Sequence, residues 1–467
     1  MSERNRQMLN LINDDVTVSF SPTYASYDKL ARIWNINLMG WVFKTQGSLS
    51  TKLQHTIVSS IGSISLRNSS KETSDLFRER AELLALKSTV KNFKFEIRLC
   101  GVAEAPSIDS KLYECNFSYP ETKIDLETNN SGYFQGKIKL KEEVLKDCLI
   151  KHNLDIKNDL EDKNFYFLLK CSANKELFNF VQIISPIGIS VISDIDDTIK
   201  ESDVHLGKRA LIANAFTSPL KAAPGMSDSY RYLQQKGYKF HYVSAAPYNT
   251  VDITLAFLET NSFPFGSLNL RNVYLGGKNT VVYKNDIITK ILNDFPDRKF
   301  ILIGDSGEHD MMIFKNIFQL FPTKILKILI RDVPSAILEG DNIFSQRSVT
   351  KKLCESRANL IFQGLENTIW NLFHDSDFVL TESLKFLNFK EKIINFVEEH
   401  SGVRKDEGVD NSKLPEQNFN SFINDEGVEN SKLLEQNFNS FMNDERVKDI
   451  FEENSNNIAV IQPVLET

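Results

Sequence analysis

The stretch VISDIDDTIKESD, residues 191–203, joins a short run of apolar β-forming residues to a dense group of acids. Asp194, Asp196 and Asp197 fall within four consecutive positions. Carboxylates this close repel one another, so the end of the predicted strand needs a compensating positive charge. Because a metal ion is the usual compensation, this stretch predicts a strand whose end carries a metal-assisted site.

The length and composition limit what that strand can belong to. A chain of 467 residues is too long for one ordinary domain, and two or three domains are expected. Hydrophobic residues make up 41% of it and aromatic residues 10%, which is typical of a globular protein with a buried core. No apolar run approaches the roughly 18 residues that a membrane-spanning helix needs. The sequence thus predicts no transmembrane segment.

Charge, N-terminal residues and cysteines indicate the setting. The net charge of −7 disfavours nucleic acid as a general partner. The first residues, MSERNRQMLNLINDD, lack the pattern of a secretory signal, which favours a cytoplasmic location. The five cysteines are scattered and odd in number. We therefore expect reduced cysteines, with neither a disulfide framework nor a zinc site.

The first part of the chain predicts a β-rich domain over residues 26–187, with a sandwich-like arrangement. Residues 1–25 are polar and predict a flexible N-terminus, and a helix-compatible piece lies near Leu76–Lys91. The remaining segments alternate polar and apolar residues or are aromatic, and turn residues separate them. The predicted strands are RIWNINLMGWVF, FKFEIRLCGV, YECNFSY, GYFQGKIKL and NFYFLLKCSA.

After Pro186 the pattern changes to strands that alternate with amphipathic helices. This alternation is typical of a parallel sheet in an α/β domain, which we place at residues 188–335. Strands are predicted at Ile189–Ser193 and in KFHYVS, KFILIG and ILKILIRD, and helices at about 206–216, 226–236, 250–260, 284–294 and 309–320. The polar clusters follow strands or begin helices, and ligands bind at that edge of an open parallel sheet.

The C-terminal part predicts two further regions. Residues 336–400 show apolar residues at three- and four-residue intervals and predict a helical extension. Beyond them, DEGVDNSKLPEQNFNSFIN at 406–424 recurs as DEGVENSKLLEQNFNSFMN at 425–443, a 19-residue repeat. A solenoid needs at least about three packed units, so residues 401–467 are predicted to be a disordered tail.

Four signals in the second half carry chemistry. They are DIDDT at 194–198, VSAAP at 243–247, Lys284 at a predicted helix start and GDSGEHD at 304–310. Taken singly, each has an ordinary structural explanation, such as an acidic turn, a helix N-cap or a solvated lysine. Their order and their positions after strands or at helix starts favour one shared functional site. The short spacings between them leave no room for a large cap domain, so the pocket should be open.

This combination resembles the haloacid dehalogenase superfamily of phosphotransferases. The segments VISDIDDTIK, PGMSDSYRYL, FHYVSAAP, YKNDIITKILNDFPDRKFILIGDSGEHD and ILIRDV are similar to the catalytic domain of fungal actin-patch-associated, magnesium-dependent phosphatidate phosphatases. NLMGWVF and NNSGYFQGKIKL are similar to the β domain that precedes it. The resemblance implies a haloacid-dehalogenase-like fold with a minimal cap, Mg²⁺ as cofactor and hydrolysis of phosphatidate to diacylglycerol and phosphate. It also implies a peripheral location at membranes and cortical actin patches, with endocytic and actin-patch partners.

The resemblance and the chemistry of a phosphate ester together assign catalytic and metal-binding roles. Asp194, first in its motif, is the expected nucleophile, which forms an aspartyl-phosphate. Asp196 is the expected acid and base, which protonates the leaving alkoxide and then deprotonates the attacking water. The expected Mg²⁺ ligands are Asp194, the backbone carbonyl of Asp196 and Asp305. Asp310 is expected at the same site, where it orients metal-bound waters or the lysine of the third signal.

The remaining residues are assigned to substrate binding. Ser244 and Lys284 are expected to hold the phosphoryl oxygens, and Thr198 to stabilise the loop around them. Ala245 and Ala246 depart from the family pattern, which has polar residues there, so fewer side-chain donors face the phosphate.

Two alternatives remain open from the sequence. A phosphatase of the same mechanism could act on soluble or protein phosphomonoesters. Alternatively, the chain could be a cortical scaffold with a vestigial catalytic half, although a scaffold has no reason to keep a repulsive group of acids. The chain has no PxxP cluster, which argues against recruitment through SH3 domains.

Overall fold

A computed structural model describes the chain over residues 16–45, 70–85, 87–107, 110–115, 122–153, 164–202, 216–272, 280–333, 356, 358–365 and 369–373. All described residues belong to one compact unit, which lies within residues 1–390. The predicted tail over 401–467 lies outside the described residues, and so does the predicted helix around 206–216 except for its last residue, Phe216.

The N-terminal region is β-rich, as predicted. Its strands are β1 Thr17–Phe20, β2 Thr23–Asp28, β3 Ile33–Thr45, β4 Lys87–Thr89, β5 Lys94–Ala103, β6 Leu112–Glu114, β7 Lys123–Glu127, β8 Tyr133–Lys141, β9 Phe165–Cys171 and β10 Asn174–Ile183. The sheet runs β1-β3-β2-β10-β9-β5-β6, with β4 and β8 paired to β3 and β7 paired to β5. All pairs are antiparallel except β2 with β10. Alternate residues of β3, such as Trp34, Ile36 and Leu38, are buried in the core, which explains the alternating sequence.

The prediction of a flexible segment over residues 1–25 is wrong for its last part. β1 lies within it and β2 begins within it, and both strands pair with β3. Their serines and threonines gave a polar appearance, but in the folded chain these groups are bonded. Ser21 Oγ donates to the carbonyl of Leu268 at 2.8 Å, and Thr23 Oγ1 donates to that of Asn37 at 2.6 Å. Long-range pairing therefore orders strands that local composition did not indicate.

Two other expectations for this region need correction. The predicted helix near Leu76–Lys91 is α1, Lys71–Ala85, and β4 follows it because residues 87–89 pair with the end of β3. The structure also joins Cys115 to Cys148 of helix α2, Glu142–Lys151, by a disulfide between Cα atoms 5.7 Å apart. The prediction that all cysteines are reduced is therefore wrong, because cysteine spacing carries no information about which residues meet in the fold.

The second half forms a parallel sheet, as predicted. Its strands are β11 Ile189–Ser193, β12 Lys239–Pro247, β13 Ser267–Arg271, β14 Lys299–Asp305, β15 Ile325–Arg331 and β16 Trp370–Phe373. Their order is β13-β12-β11-β14-β15-β16, and every neighbouring pair is parallel. The helices are α3 Met226–Gln235, α4 Val251–Thr260, α5 Thr280–Asp294 and α6 Asp310–Leu320. β11 is central, with β12 on one side and β14 on the other.

Both faces of the parallel sheet are buried, which explains its nearly continuous apolar strands. Val191 and Ile192 point to opposite faces, as neighbours in a strand do. Val191 packs into a core with residues of α3 and α4, and Ile192 packs into a core with residues of α5 and α6. The helices thus cover the two faces and leave the carboxyl ends of the strands as an edge for ligands.

The structure changes the predicted elements of this half at three places. Helix α5 begins at Thr280, one turn before Lys284, so the lysine lies inside the helix. Strand β13 was not predicted. Residues Trp370–Phe373, predicted to be helical, form β16 because they pair with β15. A segment of four residues, WNLF, is too short for its apolar pattern to distinguish a strand from a helix. Among the described residues, no helix has the length and apolarity needed to cross a bilayer.

Candidate active site

The candidate site lies where the central strands of the parallel sheet end. Asp194 follows β11, Ser244 lies in the last part of β12, and Asp305 is the final residue of β14. β11 pairs with both neighbours in parallel register, so these three side chains reach the same edge. Asp310 begins α6, directly after the loop that leaves β14. The topology thus brings together residues that are more than 100 positions apart in sequence.

Asp194, Asp305 and Asp310 form a buried acidic cluster. Each of them offers a carboxylate oxygen, and these oxygens lie within 4.8 Å of one another. The three residues are 5%, 0% and 0% exposed. Three negative charges at this separation repel strongly where water is excluded, so the cluster requires a cation.

Lys284 supplies a positive charge to this cluster. Its Nζ lies 2.9 Å from Asp194 Oδ1 and 2.6 Å from Asp310 Oδ1, and the residue is 2% exposed. Glu308 lies at the rim, with its Oε2 at 3.9 Å from the same Nζ. Lys284, which taken singly could have been a solvated helix lysine, is therefore an ion-pairing member of the site.

Backbone groups fix the position of Asp305. Its Oδ1 accepts hydrogen bonds from the N–H groups of Gly307 at 2.6 Å and Glu308 at 3.1 Å. Gly304 precedes it because the carboxylate of Asp310 lies too near for a side chain, and a Cβ at residue 304 would be 2.5 Å from Asp310 Oδ2. The GDSGEHD sequence is therefore a close-packed turn that holds two acids in place.

Asp196 has a different environment, although it is only two residues from Asp194. Its Oδ1 accepts hydrogen bonds from Ser202 Oγ at 2.7 Å and Lys200 Nζ at 3.1 Å, and its Oδ2 accepts one from Ser244 Oγ at 3.2 Å. Three donors thus surround one carboxylate. Ser244 Oγ also accepts a hydrogen bond from the N–H of Ala246 at 3.0 Å.

Asp197 and Thr198 stabilise the loop that follows Asp194 and Asp196. Asp197 has a left-handed backbone, with φ of 56°, and its Oδ1 accepts a hydrogen bond from the N–H of Ser202 at 3.0 Å. Arg331 at the end of β15 donates to the Asp197 carbonyl at 2.6 Å. Thr198 Oγ1 lies 3.4 Å from Asp194 Oδ2 and 3.2 Å from Asp305 Oδ2. Asp197 is thus a structural residue, and Thr198 links the two strand ends.

The pKa values of the two motif acids shift in opposite directions. Burial raises the pKa of Asp194 well above its usual range; Lys284 opposes this shift, and the carboxylates of Asp310 and Asp305 add to it. For Asp196, burial acts to raise the pKa, but Lys200 and the hydrogen bonds from Ser202 and Ser244 together hold it below its usual value. Local donors therefore decide which of the two acids is readily ionised.

The rest of the cluster shows the same conflict between burial and charge. Burial, followed by repulsion from Asp310, raises the pKa of Asp305 to about 8. Burial acts to lower the pKa of Lys284, but Asp194 and Asp310 outweigh it and hold that pKa well above its usual value. In the metal-free protein Lys284 is therefore charged, and the cluster carries fewer negative charges than it has carboxyl groups.

The donor set fits a hard divalent cation. Three buried carboxylate oxygens lie within 4.8 Å of one another, and carboxylate oxygens are the ligands that Mg²⁺ prefers. A divalent ion would also relieve the repulsion that Lys284 compensates only in part. The residues present are thus suited to a metal-dependent reaction.

The structure brings the predicted site residues into two adjacent groups. The first group is the acidic cluster of Asp194, Asp305 and Asp310, together with Lys284 and Thr198, which contact it. The second group is the hydrogen-bonded pair of Asp196 and Ser244. Lys200, Ser202 and Glu308 were not predicted from the sequence as site residues. The spacing of four residues between Asp196 and Lys200 was a signal for the first of them. Ser202 and Glu308 lie inside the quoted motifs, but their roles depend on loop geometry.

Comparison with known proteins adds an independent finding. Residues 189–332 match the family model for the catalytic domain of phosphatidate phosphatase APP1. Phosphatidate phosphatase APP1 of Saccharomyces cerevisiae is 36% identical over 168 residues, which is 32% of this chain and 28% of that protein. An uncharacterized protein of Schizosaccharomyces pombe is 28% identical over 239 residues, which is 48% of this chain and 38% of that protein. The matches thus span well under half the length of either relative.

Solved structures give weaker similarities. A class C acid phosphatase from Bacillus anthracis has 15% identity and a TM-score of 0.22, over 48% of this chain and 81% of that one. A β-glucuronidase from Parabacteroides merdae has 9% identity and a TM-score of 0.22, over 68% of this chain and 34% of that one. Similarities at this TM-score do not define a fold. The sequence comparisons confirm the family indicated by the motifs: residues 189–332 are similar to the catalytic domain of the APP1 phosphatidate phosphatases.

Proposed function

We propose that this chain is a Mg²⁺-dependent phosphatidate phosphatase, which hydrolyses phosphatidate to diacylglycerol and inorganic phosphate. The observation that carries the proposal is the buried cluster in which Asp194 lies 2.9 Å from Lys284 Nζ and beside Asp305 and Asp310. This cluster lies within the segment that matches the APP1 catalytic domain. A charged lysine and a cation site beside one carboxylate suit attack on a phosphate dianion, which otherwise repels an anionic nucleophile.

In the proposed reaction Asp194 attacks the phosphorus. A bond forms between a carboxylate oxygen of Asp194 and phosphorus, and the bond from phosphorus to the glycerol oxygen breaks. Asp196 gives its proton to the departing oxygen, so that diacylglycerol leaves as a neutral alcohol. Asp196 then takes a proton from a water molecule as that water attacks the phosphorus, which releases phosphate and restores Asp194. In the metal-free protein the pKa directions run against the first step, because Asp194 must be ionised to attack and Asp196 must carry a proton to act as the acid. A cation held beside Asp194 would favour its carboxylate form, and the lowered pKa of Asp196 suits its later role as the base.

The other residues hold the reactants in the proposed reaction. Lys284 and Ser244 bind the phosphoryl oxygens, and Asp310 orients Lys284 through the contact of 2.6 Å. Asp194, Asp305 and Asp310, with the backbone carbonyl of Asp196, would hold Mg²⁺. When bound, Mg²⁺ neutralises the carboxylates and polarises the phosphoryl group. Thr198 keeps the ends of β11 and β14 together through its contacts with Asp194 and Asp305.

The finer architecture belongs to the same proposal. The strand order β13-β12-β11-β14-β15-β16 of the parallel sheet, with β11 in the centre, supports a haloacid-dehalogenase-like fold. In the described residues between Asp194 and Lys284 the elements are α3, β12, a 3₁₀ turn at Tyr248–Thr250, α4 and β13, all of which belong to the sheet and its helices. This supports a minimal cap and an open pocket. An open pocket suits a phosphate head group presented at a membrane surface, to which the protein would bind peripherally. We propose cortical actin patches as its location, with endocytic proteins as partners.

The proposal is tested by phosphate release from purified protein. The full chain is offered phosphatidate in detergent micelles and a set of soluble phosphomonoesters, each with Mg²⁺ or with EDTA, and Asp194→Asn serves as the inactive control. We expect Mg²⁺-dependent release from phosphatidate that the control lacks. Release from soluble esters alone would assign the same chemistry to another substrate. A lack of release from every ester would favour the scaffold alternative.

A further inference from the structure

The turn after Ser244 is continuous with helix α4. β12 ends at Pro247, the 3₁₀ turn covers Tyr248–Thr250, and α4 begins at Val251. Ser244 is tied into this turn because its Oγ accepts a hydrogen bond from Ala246 N–H at 3.0 Å and donates one to Asp196 at 3.2 Å. The position of the turn therefore sets the position of the hydroxyl group.

The β-rich sheet contacts this segment through a buried ion pair. Lys87 of β4 pairs with Asp252 in the first turn of α4, and their side chains are only 7% and 17% exposed. The ammonium group also lies over the ring of Phe43, 4.2 Å from its centroid, and 5.8 Å from that of Trp41. Two aromatic rings and a carboxylate thus hold one cation, an arrangement that strengthens where water is excluded.

Aromatic packing joins the same two regions. Tyr133 of β8 meets Tyr248 of the turn edge to face, with ring centroids 5.2 Å apart. Burial raises the pKa of Tyr133 to about 12, as expected for a phenol removed from water. Trp41 and Phe43 are buried in the same hydrophobic core as Tyr248 and Val251. The segment after Ser244 is therefore packed against the β-rich sheet on several sides.

We infer that the β-rich sheet is part of the phosphate site, with Lys87 a positioning residue that holds the Ser244 turn through Asp252. The inference rests on the proposed function for the role of Ser244, but its anchoring step is a statement about the fold alone. By this inference the N-terminal region takes part in the reaction and is not a separable targeting module. The pair suits this role because it joins β4 to the first turn of α4, and the net stability that such an ion pair adds is small once desolvation is counted.

The test compares Lys87→Met with Lys123→Met in the full-length chain. Lys123 provides a matched control, since it lies in the same sheet and pairs with Glu96 at 2.9 Å but is 46% exposed. Backbone hydrogen exchange is followed over residues 244–252 and over β14 as an internal reference. We expect about tenfold faster exchange over 244–252 in Lys87→Met, unchanged exchange in β14, and parental exchange throughout Lys123→Met.

Kinetics on p-nitrophenyl phosphate supply the second readout. A displaced Ser244 should lower kcat/KM by about tenfold in Lys87→Met, mostly through a higher KM, and leave Lys123→Met unchanged. The double variant Lys87→Met/Asp252→Asn removes the carboxylate that is otherwise buried without its cation. It should recover the thermal midpoint while exchange and KM stay altered, whereas Lys87→Arg should restore all three.

Two outcomes overturn the inference. One is parental exchange over 244–252 in both Lys87→Met and the double variant. The other is a double variant in which hydrogen exchange over 244–252, KM and the thermal midpoint all return to the parental values. That result would show that the effect of Lys87→Met came only from the unpaired charge of Asp252. If the parental chain hydrolyses no phosphate ester, the proposed function fails, and the exchange comparison still decides the anchoring.

Discussion

Asp194 and Asp196 are separated by one residue, yet Asp194 lies among other carboxylates and Asp196 lies among hydrogen-bond donors. Asp194 faces two other buried carboxylates and shares Lys284 with one of them, Asp310. Asp196 faces two hydroxyl donors and a lysine of its own. In a regular strand, side chains two residues apart, such as those of Asp194 and Asp196, would point to the same side of the sheet. The irregular backbone after β11 separates them and gives each acid its own environment.

The different surroundings of Asp194 and Asp196 show how one short motif can support two chemical roles. Two titratable groups whose environments push their pKa values apart can act as different partners in one reaction. In the proposed reaction Asp194, which lies where a cation would be held, is the nucleophile. Asp196, which lies among donors beside Ser244, is the proposed acid and base. Four experiments test whether the two acids differ in this way.

The largest effect is expected for Asp194→Asn. The amide is nearly isosteric, but it is a poor nucleophile and a poor ligand for Mg²⁺, so turnover of phosphatidate should fall by at least ~10³-fold. The fold should persist, because removal of one charge relieves repulsion with Asp305 and Asp310. Turnover is measured beside Asp228→Asn, a change at an exposed acid of α3. Activity within about tenfold of the parent would remove Asp194 from the nucleophile role.

Asp196→Asn should show a loss that depends on the leaving group. The glycerol alkoxide needs a proton as it leaves, so phosphoenzyme formation from phosphatidate should slow by ~10²-fold or more. Nitrophenolate leaves without a proton, so formation from p-nitrophenyl phosphate should slow by less than about tenfold. Rapid-mixing measurements of the first turnover compare the two substrates. Equal slowing for both would mean that Asp196 has a structural role only.

Ser244→Ala should have an intermediate effect. The change removes one of the donors to Asp196, at 3.2 Å, and one proposed contact to the phosphoryl group, so kcat/KM should fall by about tenfold. The acid limb of the pH profile for phosphoenzyme hydrolysis, the step in which Asp196 must be ionised to act as the base, should also move to higher pH, since loss of this hydrogen bond raises the pKa of Asp196. Ser267→Ala is a matched control, because it removes a buried hydroxyl that bonds His241 on the neighbouring strand. An unmoved acid limb would disconnect Ser244 from Asp196.

The smallest expected effect is on the stability of the metal-free protein. Asp305 has a folded-state pKa raised to about 8, against an unfolded value of about 4. Between these values the folded state binds more protons than the unfolded state, so stability should fall as the pH rises. In EDTA the thermal midpoint should therefore decrease by a few degrees from about pH 5 to about pH 8.

Two controls test the origin of that decrease. Asp305→Asn should flatten the pH dependence, and so should Mg²⁺, since a bound cation favours the ionised carboxylates. Asp196 should contribute with the opposite sign: its pKa is lowered on folding, so its stabilisation is present above the unfolded pKa and is lost in acid. A midpoint in EDTA that rises from pH 5 to 8 would contradict the described acidic cluster.

The sequence alone determined much of the catalytic half. β11 at Ile189–Ser193 and the acids after it were predicted correctly, because a buried parallel strand is a short apolar run and a ligand site follows its carboxyl end. The same rule placed Ser244 and Asp305 at one edge. The approximate bounds of the helices followed from periodicity and from end signals such as Gly237, whose φ is 82°.

Other features were decided by tertiary structure alone. The opposite pKa directions of Asp194 and Asp196, the position of Lys284 between two carboxylates, and the pairing of Lys87 with Asp252 depend on contacts between residues far apart in sequence. β1, β2 and β16 are strands because a partner strand accepts their backbone hydrogen bonds. Local composition records which residues can take part in a site, whereas burial and charge at that site arise only when the chain has brought distant groups together.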